Sequence, residues 1–119
     1  GEQFAVVCAE AIPDAASRAR VLGRLAGDGL EVIEISQQQM AGFAGNVLQL
    51  AGRGGERLLA LSASAWAAFT PAQRDRLARW AKPLPVDIGT IEQCAGGSVR
   101  CMLAEIHLPR RDPSEEDDR

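Results

Sequence analysis

Val47-Leu48-Gln49-Leu50-Ala51-Gly52-Arg53-Gly54-Gly55-Glu56-Arg57-Leu58-Leu59-Ala60-Leu61 reads as two short apolar strands folded back on each other. Gly45-Asn46 opens the first strand, Val47 to Leu50, and Arg53-Gly54-Gly55-Glu56 has the composition of a hairpin turn. Leu58 to Leu61 is then the returning strand. Beyond it, Ser64 is a candidate cap for a brief helix holding Trp66 and Phe69. Thr70-Pro71-Ala72-Gln73 is a clear helix start, with Thr at the N-cap, Pro in the first turn and Gln placed for a capping box. On that helix Leu77, Trp80 and Ala81 share a core-facing side, and Arg74, Arg76 and Arg79 are solvated. Pro83 and Pro85 end it, and Val86-Asp87-Ile88 supplies a short strand. The unit is therefore β-β-α-β.

Working outward toward the N-terminus, the same grammar recurs. Phe4-Ala5-Val6-Val7-Cys8 is a continuous apolar run, as expected of a strand buried on both faces, with Cys8 most simply in the core. Pro13 suits the start of a helix. Ala15, Ala19, Leu22 and Ala26 repeat at helical spacing, Val21 and Leu25 widen the stripe, and Asp14 with Arg18 is a usable i,i+4 pair. Gly27 and Gly29 stop the helix. Val32, Ile33 and Ile35 make the next strand, and Gln37 to Phe43 a short helical turn. Glu31 and Glu34 flank the apolar pair of that strand and are most simply solvent-exposed. The first unit is thus the second one lacking its opening strand, an internal repeat of the kind from which propellers are built.

The chain has 119 residues, enough for one domain with a modest core. Hydrophobic residues make up 46% and charged residues 24%, the balance of an ordinary globular protein. Aromatics at 4% and the lack of a basic stripe argue against a nucleic-acid platform. No run approaches the ~18 apolar residues that span a bilayer, and Gly1-Glu2-Gln3-Phe4 does not open a signal peptide. The start without Met, entering a strand almost at once, suits an internal cut. Net charge is −3, of which residues 109–119 supply −2 through three Arg and five carboxylates. That acidic tail is too polar to pack and is expected to be disordered. Three cysteines without a CxxC pair fit a reducing, cytoplasmic compartment and neither a disulfide framework nor a zinc site.

Ala95-Gly96-Gly97-Ser98-Val99-Arg100-Cys101-Met102-Leu103-Ala104-Glu105-Ile106 is the stretch that carries chemistry. Gly96 and Gly97 allow close backbone approach to a ligand, and the run after them, Val99 to Leu108, is of strand length. A thiol at the mouth of such a strand is a plausible nucleophile, although a lone cysteine in an apolar run is more often a small buried hydrophobe. This stretch resembles the C-terminal motif of the arginine deiminase and amidinotransferase superfamily, the pentein or five-bladed β/α-propeller enzymes. Within it the bacterial citrulline-utilisation hydrolases are most similar, through Glu31-Val32-Ile33-Glu34-Ile35-Ser36 and through residues 40–50, Met-Ala-Gly-Phe-Ala-Gly-Asn-Val-Leu-Gln-Leu. The likeness spans nearly all of residues 4 to 109.

The resemblance implies an α/β fold: a partial β/α-propeller of ββαβ modules, about two of five, over residues 1–108. It implies a hydrolase acting on a small guanidino or ureido amino acid such as citrulline, with no cofactor and no metal. The family's thiolate attacks the guanidinium carbon, an amine or ammonia leaves, and water or an acceptor amine resolves the thiouronium-type adduct. The motif places that nucleophile on Cys101, lets Gly96, Gly97 and Ser98 line the substrate mouth, and brings Asn46 to the same rim. Family histidine and carboxylate motifs would precede Phe4. The single histidine, His107, stands six residues beyond Cys101, about 20 Å along an extended strand, too far for proton transfer. Arg100 points away from the thiol if the run is extended, and Cys94 has a packing role. The alternative is a truncated, non-catalytic binding or assembly domain. A cut propeller is also expected to self-associate through open module faces, with Phe4, Val6 and Met102 lining the uncovered surface.

Overall fold

A computed structural model describes residues 1–106 and 108. The repeat read from the sequence is present. Strands β1 (Phe4–Val7) and β2 (Glu31–Glu34) are parallel and joined by helix α1 (Ala15–Gly27). After the short helix α2 (Gln37–Ala41), β3 (Leu48–Ala51) pairs antiparallel with β4 (Arg57–Ser62). Helices α3 (Ala63–Ala68) and α4 (Pro71–Trp80) then carry the chain to β5 (Lys82–Val86), parallel to β4. The sheets are β1-β2 and β3-β4-β5.

Local chemistry sets most of these boundaries. Capping boxes open α2 (Ser36 with Gln39) and α4 (Thr70 with Gln73), each satisfying two otherwise orphaned N–H groups. Gly55, at φ 81°, turns the hairpin between β3 and β4. Helix α3 is capped by Ser62 rather than Ser64, because the chain bends directly out of β4 and Ser62 Oγ accepts from the Ala65 N–H. Asp14 caps α1 through the Ser17 N–H and does not hold Arg18, whose guanidinium forks onto the Ile12 carbonyl.

One core joins both units. Phe4, Ile33, Leu59, Leu61, Phe69 and Leu77 are all but sealed from solvent and form a single cluster. Phe4 is thus a core residue and not part of an open surface, whereas Val6 is half-buried and Met102 is exposed. The apolar stripe expected on α1 is largely uncovered: no α1 residue is buried, and Leu22 and Leu25 are only half-buried.

Two strand expectations are corrected. The strand expected at Val86–Ile88 begins at Lys82 and contains both prolines. Neighbouring strand residues direct their N–H groups to opposite sides, so Pro83 and Pro85 share a side. They face away from β4 and leave Lys82, Leu84 and Val86 to donate into the ladder, which an edge strand tolerates. The strand expected over Val99–Leu108 is not formed among the described residues. Val99–Met102 is a 3₁₀ turn, with Cys101 N–H donating to the Ser98 carbonyl and Leu103 N–H to that of Arg100. Arg100 to Ile106 are exposed and no described strand lies alongside them. Strand propensity without a ladder partner does not hold a strand together. Residues 89–95, unassigned from the sequence, form helix α5 (Gly89–Ala95), ended by Gly96 at φ 66°.

A polar seam ties the first unit to the second. The Glu31 carboxylate accepts from Arg76 Nε at 2.6 Å and Trp80 Nε1 at 2.5 Å, while Arg76 also reaches the Val32 carbonyl. Donation from Arg76 and then Trp80 lowers the Glu31 carboxyl below its ordinary 4.5. A depressed carboxyl stabilises the fold above its unfolded value, and that contribution is lost as pH falls through the folded value. Glu31→Gln is therefore expected to lower stability at neutral pH and to flatten the acid limb below about pH 4.5. Chemical denaturation across pH 2 to 7 checks this; an unchanged acid limb would refute it.

Candidate functional site

Two segments distant in sequence meet at Cys101. The first is the turn from Phe43 to Asn46, closed by the Asn46 N–H donating to the Phe43 carbonyl at 2.8 Å. Phe43 adopts φ 65°, unusual for a bulky residue, while its side chain packs against the core. The second is the 3₁₀ turn that follows Gly96-Gly97-Ser98. There the Cys101 thiol donates to Asn46 Oδ1 at 3.1 Å, and both side chains stay accessible. A Cβ on Gly97 would lie 3.4 Å from Cys101 Cβ and 3.5 Å from Sγ, so the backbone there passes directly against the thiol.

The residues singled out from the sequence are thus divided. Cys101, Gly97 and Asn46 are brought together. Gly96 is exposed and caps α5 in the left-handed conformation. Ser98 is fully buried, and its hydroxyl donates to Glu92 Oε1 at 2.7 Å. Val47 and Arg100, neighbours of Asn46 and Cys101, line a groove of about 660 Å³ beside β3, together with Glu2, Arg57 and Glu105; Gly96, Gly97 and Ser98 do not line it. Arg100 is exposed. Cys94 is exposed on α5 rather than packed, and Cys8 is half-buried against the core. His107 and the tail from Pro109 lie outside the described residues.

Glu92 is the residue that sequence reasoning missed. It is 6% exposed and carries a carboxylate among neutral donors. Burial acts to raise its carboxyl, but donation from the Ser62, Ser98 and Ser64 hydroxyls outweighs that and holds the group below its ordinary 4.5. It is ionised at neutral pH. A signal existed in the sequence: Gly96-Gly97 is a helix stop, and counting back one turn from it places Glu92 on a helix with Ile88 at i−4.

No described helix is long and apolar enough to cross a membrane. The family profile described as N,N dimethylarginine dimethylhydrolase, eukaryotic, matches residues 1–108. No curated protein and no solved structure matches the chain.

Proposed function

We infer the function from one premise: the chain belongs to the N,N dimethylarginine dimethylhydrolase family, guanidino-group hydrolases of the pentein superfamily that can use a cysteine nucleophile. On it we propose that Cys101 is the nucleophile of a hydrolase acting on a small guanidino or ureido amino acid. The observation that carries this reading is the meeting of Cys101 Sγ with Asn46 Oδ1 across 55 residues of sequence, at an accessible position. In the proposed reaction the Cys101 sulfur forms a bond to the central carbon of the substrate group. The carbon–nitrogen bond to the departing amine or ammonia breaks, and that amine leaves carrying a proton. Water then attacks the same carbon, the carbon–sulfur bond breaks, and the thiol is restored.

Gly97 gives this chemistry room, since its missing side chain leaves the sulfur open on one flank. Asn46 Oδ1 orients the thiol hydrogen. A thiol becomes a competent nucleophile only with a base or positive charge beside it, and the Asn46 amide oxygen it meets is neither. Three free cysteines support a reducing, cytoplasmic setting.

Mass spectrometry after acid quench tests the assignment, using Nω,Nω-dimethylarginine, arginine and citrulline in turn. The expected result is an adduct on the Cys101 peptide, with loss of an amine or ammonia from one of the three. Substrate consumption with the adduct on Cys8 or Cys94 would end the assignment. A second reading, a non-catalytic binding or assembly domain, is favoured by the exposed Val21, Met40, Ile91 and Met102. It is the reading that survives if no adduct forms and none of the three is consumed.

A further inference from the structure

We propose that Glu92 is a positioning residue: through Ser98 it fixes the turn that presents Cys101 to Asn46. The inference rests on the reading of Cys101 as nucleophile and adds to it a residue outside the quoted motif. The chain of contacts is continuous. Ser62, at the end of β4, is 1% exposed; its hydroxyl accepts from the Ala65 N–H, and it is one of the serines that hold the Glu92 carboxyl down. Glu92 in turn accepts from the Ser98 hydroxyl at 2.7 Å, with Ser98 fully buried. The Ser98 carbonyl accepts the Cys101 N–H at 2.9 Å, which closes the 3₁₀ turn. The Cys101 thiol then meets Asn46.

The other described restraints on this segment are weaker. Helix α5 has seven residues, too short to be stable alone, and its N-cap Ile88 offers no side-chain bond, the nearby Asp87 Oδ1 taking the Gly89 N–H at a long 3.3 Å. Gly96 and Gly97 add backbone freedom between the helix and the turn. Arg100 to Ile106 are exposed, so Ser98 and Val99 are the buried points between Glu92 and the end of the turn. Val99 packing is apolar and non-directional. The carboxylate bonds are directional and charge-assisted, hence shorter and stronger than neutral ones. Among the described residues the serine hydroxyls, and no Lys or Arg, lower the Glu92 carboxyl. A buried carboxylate is costly to keep unless it is hydrogen-bonded, and holding the turn after Gly96-Gly97 is what its bond to Ser98 accomplishes here.

The experiment reads geometry and not turnover. Cys101 of the 119-residue chain is alkylated with iodoacetamide at fixed pH, followed peptide by peptide, with Cys8 of the first unit as the internal reference. In the natural sequence Asn46→Ala is expected to change the Cys101 rate by roughly 2–10-fold, the worth of one hydrogen bond. In Glu92→Ala the rate has already changed by a similar factor, and Asn46→Ala adds nothing further. Ser98→Ala behaves as Glu92→Ala does, and Glu92→Gln falls between, since one amide oxygen still accepts. The Cys8 rate stays constant throughout. Should Glu92→Ala fail to fold, Ser98→Ala and Glu92→Gln decide the matter by the same cycle. An undiminished Asn46→Ala effect in any folded variant overturns the proposal, as does a Cys101 rate equal to that of the natural sequence. Turnover is not read, so the positioning role can stand while Cys101 proves non-catalytic, and the adduct experiment separates the two failures.

Discussion

Placing a family-type histidine segment ahead of Phe4 is expected to raise hydrolysis by about 10²–10⁴-fold over the 119-residue chain, and Cys101→Ser is expected to remove that gain entirely. The magnitude is the usual worth of a positioned acid and base. The sequence holds one histidine, His107, and none of the described residues is a histidine. The direct polar contact at the Cys101 thiol is a neutral amide oxygen, which holds the hydrogen and does not take it away. If Cys101 is the nucleophile as proposed, its placement and its activation are therefore separable. Citrulline or ammonia release, measured for the short and extended versions with and without Cys101→Ser, is the check. Equal activity in both versions would show that another group handles the proton. Activity surviving Cys101→Ser would end the nucleophile assignment.

Leu59→Ala is expected to cost about 2–5 kcal/mol, the range for truncating a fully buried leucine. Leu59 is 0% exposed on the central strand of the three-stranded sheet, opposite Gln49 on one side and Pro83 on the other. Small domains carry about 5–15 kcal/mol in total, so this one change removes a large share of it. Leu84→Ala, on the adjacent β5 at 38% exposure, is the control and should cost well under half as much. Urea titration of both variants settles the comparison. Equal losses would mean that the core is not where Phe4, Leu59 and Leu77 place it.

The legible parts of this chain were those written in local chemistry. The capping box at Thr70, the Gly-Gly hairpin and the alternation of apolar runs with helical stripes each specify structure within a few residues. They sufficed for both β-α-β units, whereas the placing of Asn46 on the rim beside Cys101 came from the family resemblance alone. What failed was whatever depended on a neighbour. Met102, Leu103 and Ile106 have strand-forming character, but a strand exists only beside a partner, and none of the described strands runs there. Pro83 and Pro85 stop a helix locally, yet they sit comfortably in a strand bonded along one side. Glu31 looked like a solvated carboxylate until α4 folded back to bring Arg76 and Trp80 onto it. Glu92 could be placed on a helix by counting back from Gly96-Gly97, but its burial against the Ser98 hydroxyl depends on how the following turn packs.

The two prolines of β5 also give the three-stranded sheet a direction of growth. A strand approaching the outer side of β5 would need N–H donors from residues 83 and 85, and proline has none. That border is closed by covalent structure and stays closed whatever the concentration or the partner. The opposite border, β3, turns the N–H groups of Gln49 and Ala51 away from β4, with no described strand beside them. Further strands, whether from another part of a larger fold or from a second molecule in an aggregate, can extend this sheet from the β3 side alone.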